Sequence, residues 1–260
     1  MPAIDIEEMI APVSSKILVV EQKGSIVSIT LNRPEKCNAL SAELSTALLH
    51  ACESLNNDAE IVILRGNGRH FCAGSDLTEL HAASLREAER LIQLEIDACH
   101  ALASLPQLTI AVTHGKCYGG GAILPLYCDL RIGCPGVEFA LPEVPFGWIP
   151  PYGLERMMAA LPRSFSLEML LSGRVSGDAE ALEKGWIHWL EDDRGTGSSR
   201  LDQLLQLNQE ILRDTVSFMV DRDLEQMRQA DRTLLHLFLQ HLDTEHARSK
   251  LGNYMNSKRS

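Results

Sequence analysis

Positive charge is in short supply in this 260-residue chain: 24 Lys and Arg stand against 35 Asp and Glu, a net charge of -11. So acidic a chain repels phosphate backbones, which excludes nucleic-acid binding by bulk charge. A local basic patch can still hold a phosphorylated small molecule. A disulfide framework is equally unsupported. The seven cysteines are odd in number, form no C-x-x-C pair, and Cys37, Cys72, Cys117 and Cys128 sit among apolar or glycine neighbours, the pattern of reduced thiols in a cytoplasmic protein. No run approaches the roughly 18 apolar residues of a membrane span. The opening MPAIDIEEMIAPVSSK has neither the basic start nor the apolar core of a signal peptide, and Asp5, Glu7 and Glu8 speak against a mitochondrial presequence. No G-x-x-x-x-G-K-[ST] occurs, and no His/Cys/Asp/Glu group has metal-ligand spacing, so neither a nucleotide loop nor a metal is expected.

What is present is ordinary globular composition, 45% hydrophobic and 23% charged. Residues 17–31 read as two strands around a Lys23-Gly24 turn. After a loop broken by Pro34, Ser41 is an N-cap for a helix whose Leu40, Leu44, Ala47, Leu48, Ala51 and Leu55 form one buried face. IVILRG (61–66) is a buried strand ending in a glycine loop. The phrase recurs as a helix over 85–103, a strand in LTIAVTHG (108–115) and a second glycine loop, followed by the strand LRIGC (130–134). Such repetition implies stacked ββα-like units and a substantially parallel sheet, an α/β protein. The polar, glycine-rich stretch 192–200 divides a core (1–196) from a helical tail (197–260). In the tail Leu204, Leu205, Leu207, Ile211 and Leu212 make one stripe, and Leu234, Leu235, Leu237, Leu239 and Leu242 another. The tail can fold back on its own core or pack on neighbouring subunits.

The first glycine loop is Phe71-Cys72-Ala73-Gly74-Ser75-Asp76-Leu77, the second His114-Gly115-Lys116-Cys117-Tyr118-Gly119-Gly120-Gly121. Small residues there let backbone N–H groups approach a ligand closely, and two such loops converging make an oxyanion hole from backbone alone. Singly each is a weak signal, because three glycines also make a generic turn. Taken with LNRPEKCNAL (31–40), CDLRI (128–132) and FALPEVPFGWIP (139–150), they resemble the crotonase superfamily, the enoyl-CoA hydratase/isomerase family, over residues 17 to about 190.

The resemblance implies a spiral of ββα units followed by helices that trimerise the protein, usually into a dimer of trimers. It also implies an acyl-CoA thioester substrate, with coenzyme A entering as part of the substrate and no separate cofactor. Carried onto this chain, the two oxyanion-hole N–H donors are Ser75 and Gly120. The CoA-binding residues are Cys72, Ala73 and Leu77 beside the first loop, with Lys36 a candidate phosphate contact. Hydratases of the family use two glutamates, and the position of the first is Ile123 here. The second is retained as Glu143, framed by Leu141, Val144 and Phe146, where desolvation raises a carboxyl pKa as a general base–acid needs. One glutamate at the later position resembles the Δ3,Δ2-enoyl-CoA isomerase branch. Hydration, decarboxylation, thioester hydrolysis and a non-catalytic CoA-thioester binder stay open beside it.

Other residues carry competing readings. Tyr152, in a proline- and tyrosine-bearing segment where the family has a glycine cluster, can donate a hydrogen bond into the acyl pocket, narrow it, or pack outward. Trp148 reads as a pocket wall or core residue. Tyr118 packs more readily than it serves the thioester. Asp76 caps the following helix, and Asp129 and Arg131 form a structural pair. His81 and His114 are solvated or packed, and a serine triad at Ser75 lacks a motif-placed His and Asp.

Overall fold

The structure is a computed structural model that describes residues 16–55, 58–191, 200, 203, 204, 206–219 and 224–257. The expected linker 192–200 lies outside the described residues except for Arg200, as does Leu205 of the first tail stripe.

Alternation and turn chemistry build the sheet. β1 (Leu18–Lys23) and β2 (Ile26–Leu31) pair antiparallel across the Gly24 turn. β3 (Ile61–Gly66), β4 (Leu108–Thr113), β6 (Leu130–Gly133) and β9 (Trp189–Leu190) then add in parallel, giving the order β1-β2-β3-β4-β6-β9. A second sheet holds β5 (Lys116–Tyr118), β7 (Glu138–Ala140) and β8 (Ser176–Gly177) in the order β5-β7-β8. β3 and β4 are buried on both faces, as continuous apolar runs in parallel sheets are. The pleat sends Val62 and Leu64 into the main core and Ile61 and Ile63 to a smaller cluster with Leu108, Ile110, Val112 and Ile132.

Helices cover the main-core face. α1 (Ala42–Glu53) starts where Ser41 Oγ accepts the Leu44 N–H at 3.2 Å, as its sequence requires. α2 (Leu77–Ala82) leads into α3 (Leu85–Ala103), which opens on a reciprocal capping box between Ser84 and Glu87. α3 lays Ala88, Ile92, Ile96, Cys99 and Leu102 against the core at helical spacing. The short α4 (Gly120–Ile123) and α5 (Glu143–Phe146) follow β5 and β7, and α6 (Leu154–Ala160), α7 (Arg163–Ser172) and α8 (Asp178–Lys184) complete the outer layer.

The tail folds back on its own chain. Beyond α9 (Gln209–Met219), α10 (Leu224–Leu242) packs on α3 and α6, and α11 (Glu245–Ser257) on α2 and α5. Met227, Leu234, Leu235, Phe238 and Leu242 are buried by this return. A polar lock holds it: Asp231, 1% exposed, accepts from Tyr127 Oη at 3.1 Å and the Gly153 N–H at 2.9 Å, and meets His100 Nε2 at 2.8 Å. The mixed, mostly parallel sheet with C-terminal helices is the α/β architecture expected from the repeated strand-to-helix phrasing.

Candidate active site

The two glycine loops meet because backbone hydrogen bonds force them together. Cys72 bridges in parallel to Cys117, and Leu40 to Ser75. Leu40 donates to Gly74 O and accepts from the Asp76 N–H, both at 2.8 Å, so Ser75 sits between them with its own N–H turned away from Leu40. Arg33 fixes this junction by donating to Ala39 O at 2.6 Å and to Asp76 at 3.1 Å. Asp76 in turn caps α2 through the Thr78 N–H, as expected for a residue in that position. Asn38, fully buried and at positive φ, donates to Asn67 O and His70 O. The LNRPEKCNAL segment is therefore the clamp that holds the first loop.

Each glycine of the second loop makes room for a different group. Gly119 adopts φ 55 and ψ -129, a backbone that side chains avoid, and a Cβ there would lie 2.8 Å from Glu143 Oε1. A Cβ on Gly120 would lie 2.5 Å from Tyr152 Oη and 3.5 Å from Glu95 Oε2. One on Gly121 would strike the Cys72 carbonyl. From the other side, a Cβ on Gly74 would lie 3.1 Å from the Gly120 nitrogen. Gly74 thus lies against Gly120 at a distance that only glycine backbone permits, and Ser75 and Gly120 line the same cavity. Among the described residues neither N–H donates to a protein acceptor.

Glu143 opens α5 and lines the cavity between the loops, with Ile123, Trp148 and Tyr152 on its walls. It is 8% exposed, and burial pushes its carboxyl up to about 7. Its Oε2 has no hydrogen-bond partner among the described residues. A buried carboxylate oxygen with nothing to accept from is costly to keep unless a ligand proton reaches it. Ile123 is 1% exposed and brings no second acid at the position it occupies. Trp148 is a wall, edge-on to Phe238 at 6.0 Å.

Tyr152 is buried and lines the cavity, and its hydroxyl donates to Glu95 Oε2 at 2.8 Å, back into the protein. The Ser75 hydroxyl donates to the same oxygen at 2.9 Å. Ser75 therefore has a carboxyl partner rather than the histidine a nucleophilic serine needs. Glu95 is the residue that sequence reading missed. Its signal was there: a carboxylate three residues from Ile92 and four from Cys99, on the buried stripe of α3. Phe238 was missed too, hidden in the leucine stripe of α10.

The remaining site residues separate. Lys36, Ala73 and Leu77 line a groove continuous with Ser75, bounded by Thr78 and by Tyr254 of α11. Cys72 is fully buried, spends its N–H on Lys116 O and its carbonyl on the Tyr118 N–H, and supports the loop from behind. The Tyr118 hydroxyl donates to Glu138 at 2.7 Å, a packing role. Asp129 accepts from the Thr109 N–H and hydroxyl, while Arg131 donates to the carbonyls of Trp186, Cys128 and Gly185, so both are structural. His81 is exposed and His114 buried. Among the described residues no group of three His, Cys, Asp or Glu side chains is placed to hold a metal.

Comparison with known proteins gives this geometry its context. Residues 21–256 match the family model described as enoyl-CoA hydratase/isomerase. "Probable enoyl-CoA hydratase echA8" of Mycobacterium bovis is 31% identical over 173 residues, 65% of this chain and 66% of the relative, so just under two thirds of that relative is spanned. The crystal structure of an enoyl-CoA hydratase/isomerase from Mycobacterium paratuberculosis superposes with a TM-score of 0.83 at 22% identity, covering 92% of this chain and 98% of that one. A Thermobifida fusca protein crystallised in complex with acetoacetyl-CoA gives a TM-score of 0.72 at 24% identity, covering 84% and 93%. With the family pattern running through nearly the whole chain and the fold matching along its length, the chain belongs to the enoyl-CoA hydratase/isomerase family.

Proposed function

We propose that the protein moves a double bond in an acyl-CoA thioester, converting a 3-enoyl-CoA to a 2-enoyl-CoA by proton transfer through Glu143. The observation that carries this reading is the unpartnered Glu143 Oε2, buried on the wall of a cavity whose opposite position is Ile123. In the reaction the Glu143 carboxylate takes a proton from the α-carbon. The electron pair left on carbon moves into the thioester carbonyl, and the Ser75 and Gly120 N–H groups donate hydrogen bonds to the oxygen that becomes negative. Preorganised donors of this kind contribute about 3–4 kcal/mol each to the transition state. Protonated Glu143 then returns the proton at the γ-carbon as the carbonyl reforms, leaving the bond between the α- and β-carbons. A carboxyl held near 7 can do both steps at neutral pH. Hydration needs a second group to hold and activate water, and the hydrocarbon of Ile123 does not supply it.

The CoA portion runs along the groove at Lys36, Ala73 and Leu77, where Lys36 meets a phosphate; the likeness in fold to the acetoacetyl-CoA complex supports this. Self-association as a homotrimer or dimer of trimers belongs to the same reading, supported by the exposed apolar Met158, Leu167, Leu171 and Val175 around α6 and α7. Seven free thiols fit a cytoplasmic location, and among the described residues no helix is long and apolar enough to cross a membrane. Incubation with 3-enoyl-CoA thioesters, with 2-enoyl and 3-hydroxyacyl products resolved by mass spectrometry and chromatography, tests the assignment. A 2-enoyl product that Glu143→Gln fails to form supports it; a 3-hydroxyacyl product formed from a 2-enoyl-CoA at comparable rate overturns it. Sedimentation velocity tests the assembly, and a monomer at micromolar concentration removes it.

A further inference from the structure

A carboxylate on the buried stripe of an amphipathic helix demands an explanation, since burying it charged and unpaired is costly. Glu95 is 4% exposed, and both hydroxyls that reach it come from the substrate cavity's own wall residues, Ser75 and Tyr152. Its Oε2 lies 3.5 Å from where a Gly120 Cβ would stand, and the Tyr152 hydroxyl it holds lies against the same glycine. One oxygen atom therefore ties the loop bearing the first backbone donor to the residue packed on the second. Two loops joined this way keep a fixed gap between their N–H groups.

We propose that Glu95 is a positioning residue of the oxyanion hole and that it works in its protonated, neutral form, with Oε2 as the carbonyl acceptor of Ser75 and Tyr152. The inference rests on the enolate reading of the site. The chemistry requires neutrality because an ionised Glu95 would set a negative charge beside the atom that must itself become negative. The surroundings favour it as well. Glu79 from α2 and Glu143 from α5 both act on Glu95 with like charge. The other titratable groups facing it are the thiol of Cys72 in the first loop, the thiol of Cys99 on α3 and the phenol of Tyr152, all neutral near pH 7. Burial raises the Glu95 carboxyl most, the two donated hydrogen bonds pull it partly back, and it settles at about 8.

The two carboxyls of the site then have opposite working forms. Glu143 must be ionised to take a proton and gains activity as pH rises through about 7, while Glu95 must be protonated and loses it as pH rises through about 8. The activity window lies between them, and because the groups act on each other the limbs belong to the pair.

The test is deuterium exchange at the α-carbon of a saturated acyl-CoA in D2O, followed by mass spectrometry from pH 5.5 to 10. Exchange abolished in Glu143→Gln establishes the underlying reading, and exchange that survives there removes that reading irrespective of Glu95. With it established, Glu95→Gln is expected to lower the maximal rate by less than about tenfold and to abolish the alkaline fall. Tyr152→Phe removes a hydrogen bond that favours the ionised form, so the alkaline fall is expected to survive but move to higher pH. An unchanged alkaline limb in both variants overturns the proposal. So does a Glu95→Gln variant that binds the thioester but is inactive at every pH. If Glu95→Gln does not fold, the Tyr152→Phe shift alone decides: upward supports, none overturns.

Discussion

Glu143 and Glu95 are both buried acids beside one glycine run, yet they are built for different work. Glu143 stands at Gly119, lines the cavity and keeps one buried carboxylate oxygen unpartnered; Glu95 stands at Gly120 with one oxygen already engaged by two hydroxyls. Burial raises both, to about 7 and about 8. Burial therefore does not by itself identify a base. What separates a group that exchanges protons with a substrate from one that braces a site is whether its acceptor positions are spent inside the protein.

The comparison breaks most sharply at Glu143. Glu143→Gln keeps the shape and removes the base, so turnover of a 3-enoyl-CoA is expected to fall by about a thousandfold or more, with thioester affinity, read by calorimetry, nearly unchanged. Gly119→Ala puts a methyl group against Glu143 Oε1 at a positive φ of 55. It is expected to cost about a hundredfold in rate through displaced geometry and about 1–2 kcal/mol in stability, read by urea titration.

Stability against pH separates the two acids without any substrate. A carboxyl whose folded pKa lies above its unfolded value makes the folded state bind more protons, so stability falls as pH rises between the two values. For Glu95 that window runs from 4.5 to about 8. Glu95→Gln is expected to melt several degrees above the parent at pH 9, with the gap closing near pH 5; an equal gap at both pH values contradicts a raised Glu95. The smallest effect is expected at the groove. Lys36→Ala weakens CoA-thioester binding about three- to tenfold at low salt, and the difference shrinks as salt is added.

Much of this was legible in the chain. Ser41 as a cap, the helix 85–103 and the strands at 61–66 and 130–134 follow from local chemistry and period, because each depends on near neighbours, whereas the meeting of the two glycine loops rests on pairing of Cys72 with Cys117. Glu143 was legible because its motif is contiguous. For Glu95 only its place on the buried stripe was legible and its role was not, because that role comes from Tyr152, 57 residues onward, and Ser75, 20 residues back. Tyr152 remained open between three readings for the same reason: its partner lies far away in sequence, on α3. The return of α10 onto α3 depends on Asp231 meeting His100 across 131 residues, which no window of sequence displays. Cys72 looked like ligand-contacting loop and is instead a buried support.

The central claim is that one carboxyl, Glu143, moves the proton. The most direct measurement follows a 3-enoyl-CoA carrying deuterium at its α-carbon and locates the label in the 2-enoyl product by mass spectrometry. Label found at the γ-carbon, in part diluted by solvent, and no conversion with Glu143→Gln is the expected result. Conversion at the parent rate by Glu143→Gln, or no conversion of any bound 3-enoyl-CoA by the parent, would contradict the claim.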